Sequence, residues 1–422
     1  MGMMVFTSIY GVVDGLFVSN FAGKVSFAAI NLIMPFLMIT GLLGFMFGTG
    51  GSAIIAKTLG EGDPKRANEI FSLLIYCLIG AGLVVTAAGI VLMRPIAVAL
   101  GADAEMLPYC VSYGRIAMIS TVPFMLQNTF QSLFGTAERP DMGFTMSIIS
   151  GVTNIVGDLV LVGILKWGVV GAAIATTASE FLGGLIPLVY FAMPNKSLLH
   201  LGKTRFDGKV LIDTCVNGSS ELMSSISMSV ASMAYNFQLM RFAGSDGVAA
   251  YGVIMYVAFI FISVFIGYSM GSAPIIAYNY GAENQPELQS LFRKSLRLVG
   301  ILAVAMTTLA AVSAKPLARI FVGYDAELLA MTVRAFRIYV VSFLLAGFNI
   351  FGSSLFTALN NGLISGMISF LRSLVFQTAA VLLLPILFGL NGIWCAILVA
   401  ESAAFIVTFT LVWKYRDRYG YL

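Results

Sequence analysis

The chain has 422 residues, 59% of them hydrophobic and only 10% charged, with a net charge of +4. Soluble domains carry about 25% charged residues, so this composition excludes a water-soluble globular protein and indicates a polytopic membrane protein. The small net charge gives nucleic acid no footing, and four scattered cysteines with one histidine, His200, indicate neither a disulfide framework nor a zinc site.

A bilayer crossing needs about 20 apolar residues. Twelve apolar runs qualify, at roughly 3–21, 26–56, 68–93, 106–135, 141–165, 168–193, 211–243, 247–279, 291–313, 328–358, 362–388 and 391–413. The first run has no basic flank and does not read as a cleavable signal. It carries Asp14, with Tyr10 one turn earlier on the same face. Span 2 contains Met34 and ends in "GSAIIAKT", 51–58. That stretch resembles a phosphate-binding loop but lacks its second glycine and any preceding strand, so no nucleotide is expected. Turn chemistry follows at "GEGDPKR", 60–66, and at "TAERPD", 136–141.

Span 5, "GVTNIVGDLVLVGIL" in its core, places Asn154 four residues before Asp158 on one helical face. A carboxylate at mid-bilayer costs roughly 2.5–3.5 kcal/mol even on the lenient insertion scale, so such a residue is a functional candidate. Thr176 lies in span 6, "GAAIATTASE". Asp14, Asn154, Asp158 and Thr176 together offer carboxylate, amide and hydroxyl oxygens. Hard cations favour such ligands, and a dry carboxylate also holds a proton more tightly.

The longest polar link falls near mid-chain. It divides an N-terminal lobe, 1–193, from a C-terminal lobe, 211–422, across a cytoplasmic linker at 194–210. Glu221 stands about three turns into span 7, where gating or coupling and a purely structural role are equally open. Met223, Met228 and Met255, with Met34, are candidates for an adaptable apolar substrate cavity, against the plainer reading as packing residues. Arg372 lies in span 11 with no role evident from sequence.

The chain is written twice. "FAG" at 21–23 recurs at 242–244, "GSA" at 51–53 at 271–273, "DAE" at 103–105 at 325–327, and "SLF" at 132–134 at 354–356. "GVVGAAIATTASE" at 168–180 aligns with "GLNGIWCAILVAE" at 389–401. Offsets of 220–222 along the whole chain identify two six-span halves. Six is even, so the halves are parallel repeats, and in such transporters the substrate path lies between them. Asp14 aligns with Tyr235 and Asp158 with Ala379, so the carboxylates belong to the first half only. Glu180 and Glu401 are twins, as are Arg115 and Arg337; symmetric placement fits structural roles. Met1 aligns with Leu222 although span 7 begins near Leu211, so the start of the first span is expected to be truncated or mis-started.

Lys and Arg set orientation. Fourteen lie at the ends and loops after even-numbered spans or in the C-terminal tail, against six after odd-numbered spans, which puts both termini in the cytoplasm of a plasma-membrane protein.

With the 6+6 repeat, the segments "SIYGVVDGLFVSNFAG" at 8–23, "NLIMP" at 31–35, "GSAIIAKTLGEGD" at 51–63 and "NGSSE" at 217–221 make the chain resemble the multidrug and toxic compound extrusion family, over nearly all its length. The resemblance implies an all-α fold of twelve transmembrane helices in two six-helix lobes. It also implies export of amphipathic, often cationic compounds against inward Na⁺ or H⁺ flow. One branch of the family has a first-lobe cation site that maps onto Asp14, Asn154, Asp158 and Thr176, with a helix 4 amide supplied by Gln131 or Asn128. A second-lobe site of another branch is poorly matched, since span 10 has no mid-membrane carboxylate and Glu221 sits early.

The expectation is therefore a monomeric, cation-coupled antiporter that is not an enzyme. It needs no cofactor beyond the coupling Na⁺ or H⁺, no nucleotide and no nucleic acid; its partners are the lipid bilayer and a small-molecule substrate. The alternative is a lipid-linked oligosaccharide flippase of the same superfamily, which would want more mid-span Arg and Lys than this chain has.

Overall fold

The computed structural model describes residues 2–4, 6, 7, 24–323 and 325–422, leaving aside the side chains of 24–28, 31 and 245. Secondary structure among the described residues is entirely helical. In the first half run α1 (Lys24–Gly60), α2 (Pro64–Ala99), α3 (Leu107–Ile119), α4 (Thr121–Thr136), α5 (Pro140–Gly157, continued as a π-helical segment Asp158–Ile164), α6 (Gly168–Ala192) and the short α7 (Gly208–Asn217). The second half holds α8 (Ser219–Gly281), α9 (Gln285–Val322), α10 (Ala326–Tyr339), α11 (Phe343–Ala358), α12 (Gly362–Phe370, continued as a π-helical segment Leu371–Phe376) and α13 (Gln377–Tyr419). Two compact units result, Phe6–Cys215 and Val216–Leu422.

The repeat read from short tripeptides is reproduced in backbone detail. Asp63 accepts the Arg66 N–H at 2.9 Å to start α2, and Asn284, 221 residues on, accepts that of Glu287 to start α9. Asp103 caps the chain ahead of α3 through the N–H groups of Glu105 and Met106, and Asp325 does the same through Glu327 and Leu328. Pro95 in α2 and Pro316 in α9 are also 221 apart. The fourth span breaks at Ser120 and the tenth at Ser342. In each case the serine hydroxyl donates three residues back, to Ala117 O at 2.9 Å and Tyr339 O at 2.7 Å, a bond that competes with regular helix winding.

At about 1.5 Å per residue, the 63 residues of α8 would run about 95 Å, three times the hydrocarbon thickness. Gly244, at φ +61°, turns it into two spans, and Gly389, at φ +55°, does the same in α13. Gly168, the first residue of α6, is the twin of Gly389, with φ +56°. Without Cβ, glycine takes this conformation at little cost.

Small residues let helices approach in the first half. Thr129 of α4 donates to Gly44 O of α1 at 2.9 Å. A Cβ on Gly184 of α6 would lie 2.2 Å from Pro123 O, a backbone atom of α4 that cannot move aside. Gly184→Val should therefore block folding of this half. The check is monodisperse recovery from detergent extracts, and wild-type yield and melting would refute the packing argument. Phe71, Phe130 and Phe191 fill the interior of one end of this half, with Leu199 from the linker among them. The second half packs around Phe261, Phe265, Phe343 and Trp394.

The central linker is a strap on α2. Asn68, Ser72 and Tyr76 form a polar stripe at four-residue spacing. Asn68 Oδ1 accepts the His200 N–H, Ser72 Oγ accepts the Gly202 N–H at 3.0 Å, and the Tyr76 hydroxyl donates to Gly202 O at 3.1 Å. Arg66 pairs with Asp207 at the strap's end. The Val210 N–H and then the Arg66 guanidinium hold the Asp207 carboxyl below the usual aspartate range. That contribution is present above the ordinary aspartate pKa and lost as pH falls through the lowered value. Asp207→Asn should speed tryptic cleavage at Lys203 and Arg205; cleavage at the wild-type rate would show that the pair does not hold the strap.

Candidate functional site

The first-half site is built where α5 meets α6. Asn154 lies in the last α-helical turn of α5, 2% exposed, and Asp158 opens the π-helical segment, 0% exposed. Its backbone N–H still reaches Asn154 O, so the two side chains keep the i, i+4 relation expected from sequence. Beyond it the winding widens: the Leu165 N–H donates to Val160 O, five residues back, at 2.8 Å. Such π-helical turns are frequent at functional sites because they re-aim side chains within a helix.

Thr176 of α6 faces this turn, and Asn154 Nδ2 lies 3.4 Å from Thr176 Oγ1. Asn154 Oδ1 is buried and has no hydrogen-bond partner among the described residues. A buried amide oxygen in that state is costly for a finished core and is available to a cation or to a protonated group. One turn along, Ser150 donates to Ser179 O at 2.9 Å and stitches the same two helices together. Among the expected residues, then, Asn154 and Thr176 are brought together beside Asp158. Asp14 and Tyr10 lie outside the described residues.

On α4, Asn128 is buried with Nδ2 unpartnered among the described residues, and Gln131 is half-buried one turn further on. A third amide was missed by sequence reasoning. Gln127 sits where α4, α5 and α6 meet: a Cβ on Gly183 of α6 would lie 2.5 Å from Ser150 Oγ and 2.7 Å from Gln127 Cδ. The signal was present, since Gln127 is 222 residues before Asn349 and both are amides.

Of the remaining candidates, Glu221 is half-buried in the first turn of α8. Met34 is half-buried against the core of the first half, and Met255 against that of the second, with its Sδ 4.0 Å from the Tyr339 hydroxyl. Met223 is half-buried and Met228 is 49% exposed.

The second half has a different charged centre, also missed from spacing. Arg372, second residue of its own π-helical segment, grips Glu401 of α13: Nε lies 2.9 and 3.0 Å from the two carboxylate oxygens and Nη2 2.7 Å from Oε1. Asn349 of α11 donates through Nδ2 to Glu401 Oε2 at 2.7 Å and to its backbone oxygen at 3.0 Å. Glu401 therefore bonds neighbouring helices, the kind of structural role its symmetric placement implied. Each half thus carries a charged residue on a π-helical segment, a carboxylate in the first and a guanidinium in the second.

Comparison with known proteins agrees with this architecture. The MatE family profile matches residues 1–160 and again 222–382, a spacing equal to the internal offset. The chain is similar to the multidrug export protein MepA of Staphylococcus haemolyticus (strain JCSC1435), 24% identical over 412 residues, covering 97% of this chain and 90% of that protein. It is similar to MepA of Staphylococcus aureus (strain MSSA476) at 25% over 413 residues, with the same coverage. Among solved structures, the crystal structure of MATE in complex with MaL6 superposes with a TM-score of 0.93 at 22% identity, over 99% of this chain and 94% of that one. An outward-facing multidrug resistance MATE family transporter of the MOP superfamily gives 0.92 at 21%, with the same coverage. These likenesses carry the fold of two six-span halves over the whole chain, and the doubled profile match decides the assignment: the chain belongs to the MatE family.

Proposed function

We propose that this protein is a multidrug exporter of the plasma membrane, with both termini cytoplasmic, that extrudes amphipathic cationic compounds in exchange for Na⁺ or H⁺. The observation that carries the reading is Asp158. It is a fully buried carboxylate on a π-helical turn, beside an amide whose oxygen has no partner among the described residues and a hydroxyl on the facing helix. The multidrug export role of the MepA relatives supports the substrate class.

In this account the coupling ion binds at Asp158 with Asn154 and Thr176, and the family resemblance adds Asp14 as a further ligand. Ion binding favours the arrangement of the first half in which substrate affinity is low, and substrate leaves outward; loss of the ion to the cytoplasm resets it. Coupling requires that the ion bind the two arrangements with different affinity. The flippase reading is disfavoured, because the guanidinium of Arg372 is neutralised by Glu401 and does not offer a charge to pyrophosphate.

The test is efflux of a fluorescent organic cation from loaded cells or vesicles, with sodium and pH gradients imposed separately. At least one gradient should accelerate efflux severalfold. Efflux indifferent to both, or driven only by ATP, would end the antiport reading.

A further inference from the structure

We propose that the Glu401–Asn349 centre of the second half is a monovalent-cation site whose resident cation is the protein's own Arg372 guanidinium. Four observations carry this. The carboxylate is almost wholly buried, Arg372 Nε donates to both of its oxygens, and Nη2 lies 2.7 Å from Oε1. Asn349 is fully buried and orients the carboxylate through Nδ2, while its Oδ1 has no partner among the described residues. The repeat counterparts of Glu401 and Asn349 are retained in kind as Glu180 and Gln127, whereas the offset of 222 that pairs Gln127 with Asn349 places the neutral Ser150 opposite Arg372. Arg372 is itself carried on a π-helical segment, as Asp158 is in the first half.

A tethered cation cannot leave, so the second half has no ion cycle of its own. Joined to the reading that Asp158 binds the coupling ion, this confines coupling to the first half; the site itself stands or falls independently of that reading. Removing the guanidinium should leave a buried carboxylate, still oriented by Asn349, open to a free cation.

The test uses the purified full chain in detergent and follows its thermal unfolding midpoint as guanidinium chloride is raised to a few millimolar against choline chloride. Arg372→Ala should melt below wild type and recover by roughly 2–4 °C with guanidinium. Wild type, Arg372→Lys and the double variant Arg372→Ala/Glu401→Gln should show no such recovery. Arg372→Ala/Asp158→Asn should still respond, which separates this site from the first-half site and from any failure of the export reading. If Arg372→Ala does not survive extraction, Arg372→Gln, which keeps bulk and loses charge, carries the same comparison. A charge-removed variant that gains nothing from guanidinium, or a response that persists without the Glu401 carboxylate, would overturn the proposal.

Discussion

Asp158→Asn should abolish gradient-driven efflux while leaving the protein folded and able to bind substrate. The amide is nearly isosteric with the carboxylate and keeps the π-helical turn and the neighbouring Asn154–Thr176 contact. It cannot carry a negative charge or release a proton. If the ion is H⁺, the variant mimics the protonated acid permanently, and substrate affinity should be low and indifferent to pH. If it is Na⁺, the site loses its formal charge, and substrate affinity should stop responding to sodium. Allosteric couplings are worth about 1–3 kcal/mol, or about 5–150-fold in affinity, and that factor is what should vanish. Substrate binding to purified protein with and without the ion, beside efflux from everted vesicles, reads both quantities. Undiminished efflux by Asp158→Asn would remove the first-half site from the mechanism.

Glu401→Ala should be the most destabilising single change in the second half. It leaves the Arg372 guanidinium, 21% exposed, and the fully buried Asn349 amide without their acceptor. Breaking a buried pair by deleting one partner costs about 3–5 kcal/mol, whereas replacing both partners with neutral groups is often close to neutral. Arg372→Met/Glu401→Gln should therefore recover most of the melting temperature that Glu401→Ala loses. Equal losses in the single and double variants would mean that the carboxylate matters for packing and not as the counter-ion of Arg372.

What the sequence revealed followed physical regularity. Apolar length identified the crossings, and the 221-residue offset recurs in the paired caps at Asp63 and Asn284 and the paired positive-φ glycines Gly168 and Gly389. The i, i+4 spacing of Asn154 and Asp158 survived because the π-helical winding starts at Asp158 and not before it. The π-helical segments themselves were invisible. Apart from Asp158, Arg372 and Ser373, both are apolar stretches within membrane-spanning sequence, so no change of period marks the wider turn. The Arg372–Glu401–Asn349 centre was equally hidden, since its members come from three helices and no local spacing connects them. Only the twin glutamates hinted at it. The breaks at Ser120 and Ser342 had a local cause, a hydroxyl reaching back three residues, but serine in an apolar run reads as tolerated, not as a signal.

The central claim is that ion and substrate move in opposite directions through one protein and that Asp158 joins the two movements. Exchange is reciprocal, so a substrate gradient must drive the ion as surely as the ion drives substrate. The direct measurement is ion flux in proteoliposomes that hold only this protein and start with no ion gradient. On imposing a gradient of a transported organic cation, wild type should move Na⁺ or H⁺ against the direction of substrate flow, and Asp158→Asn should move none. Substrate flow without countercurrent in wild type, or an equal countercurrent in Asp158→Asn, would contradict the account.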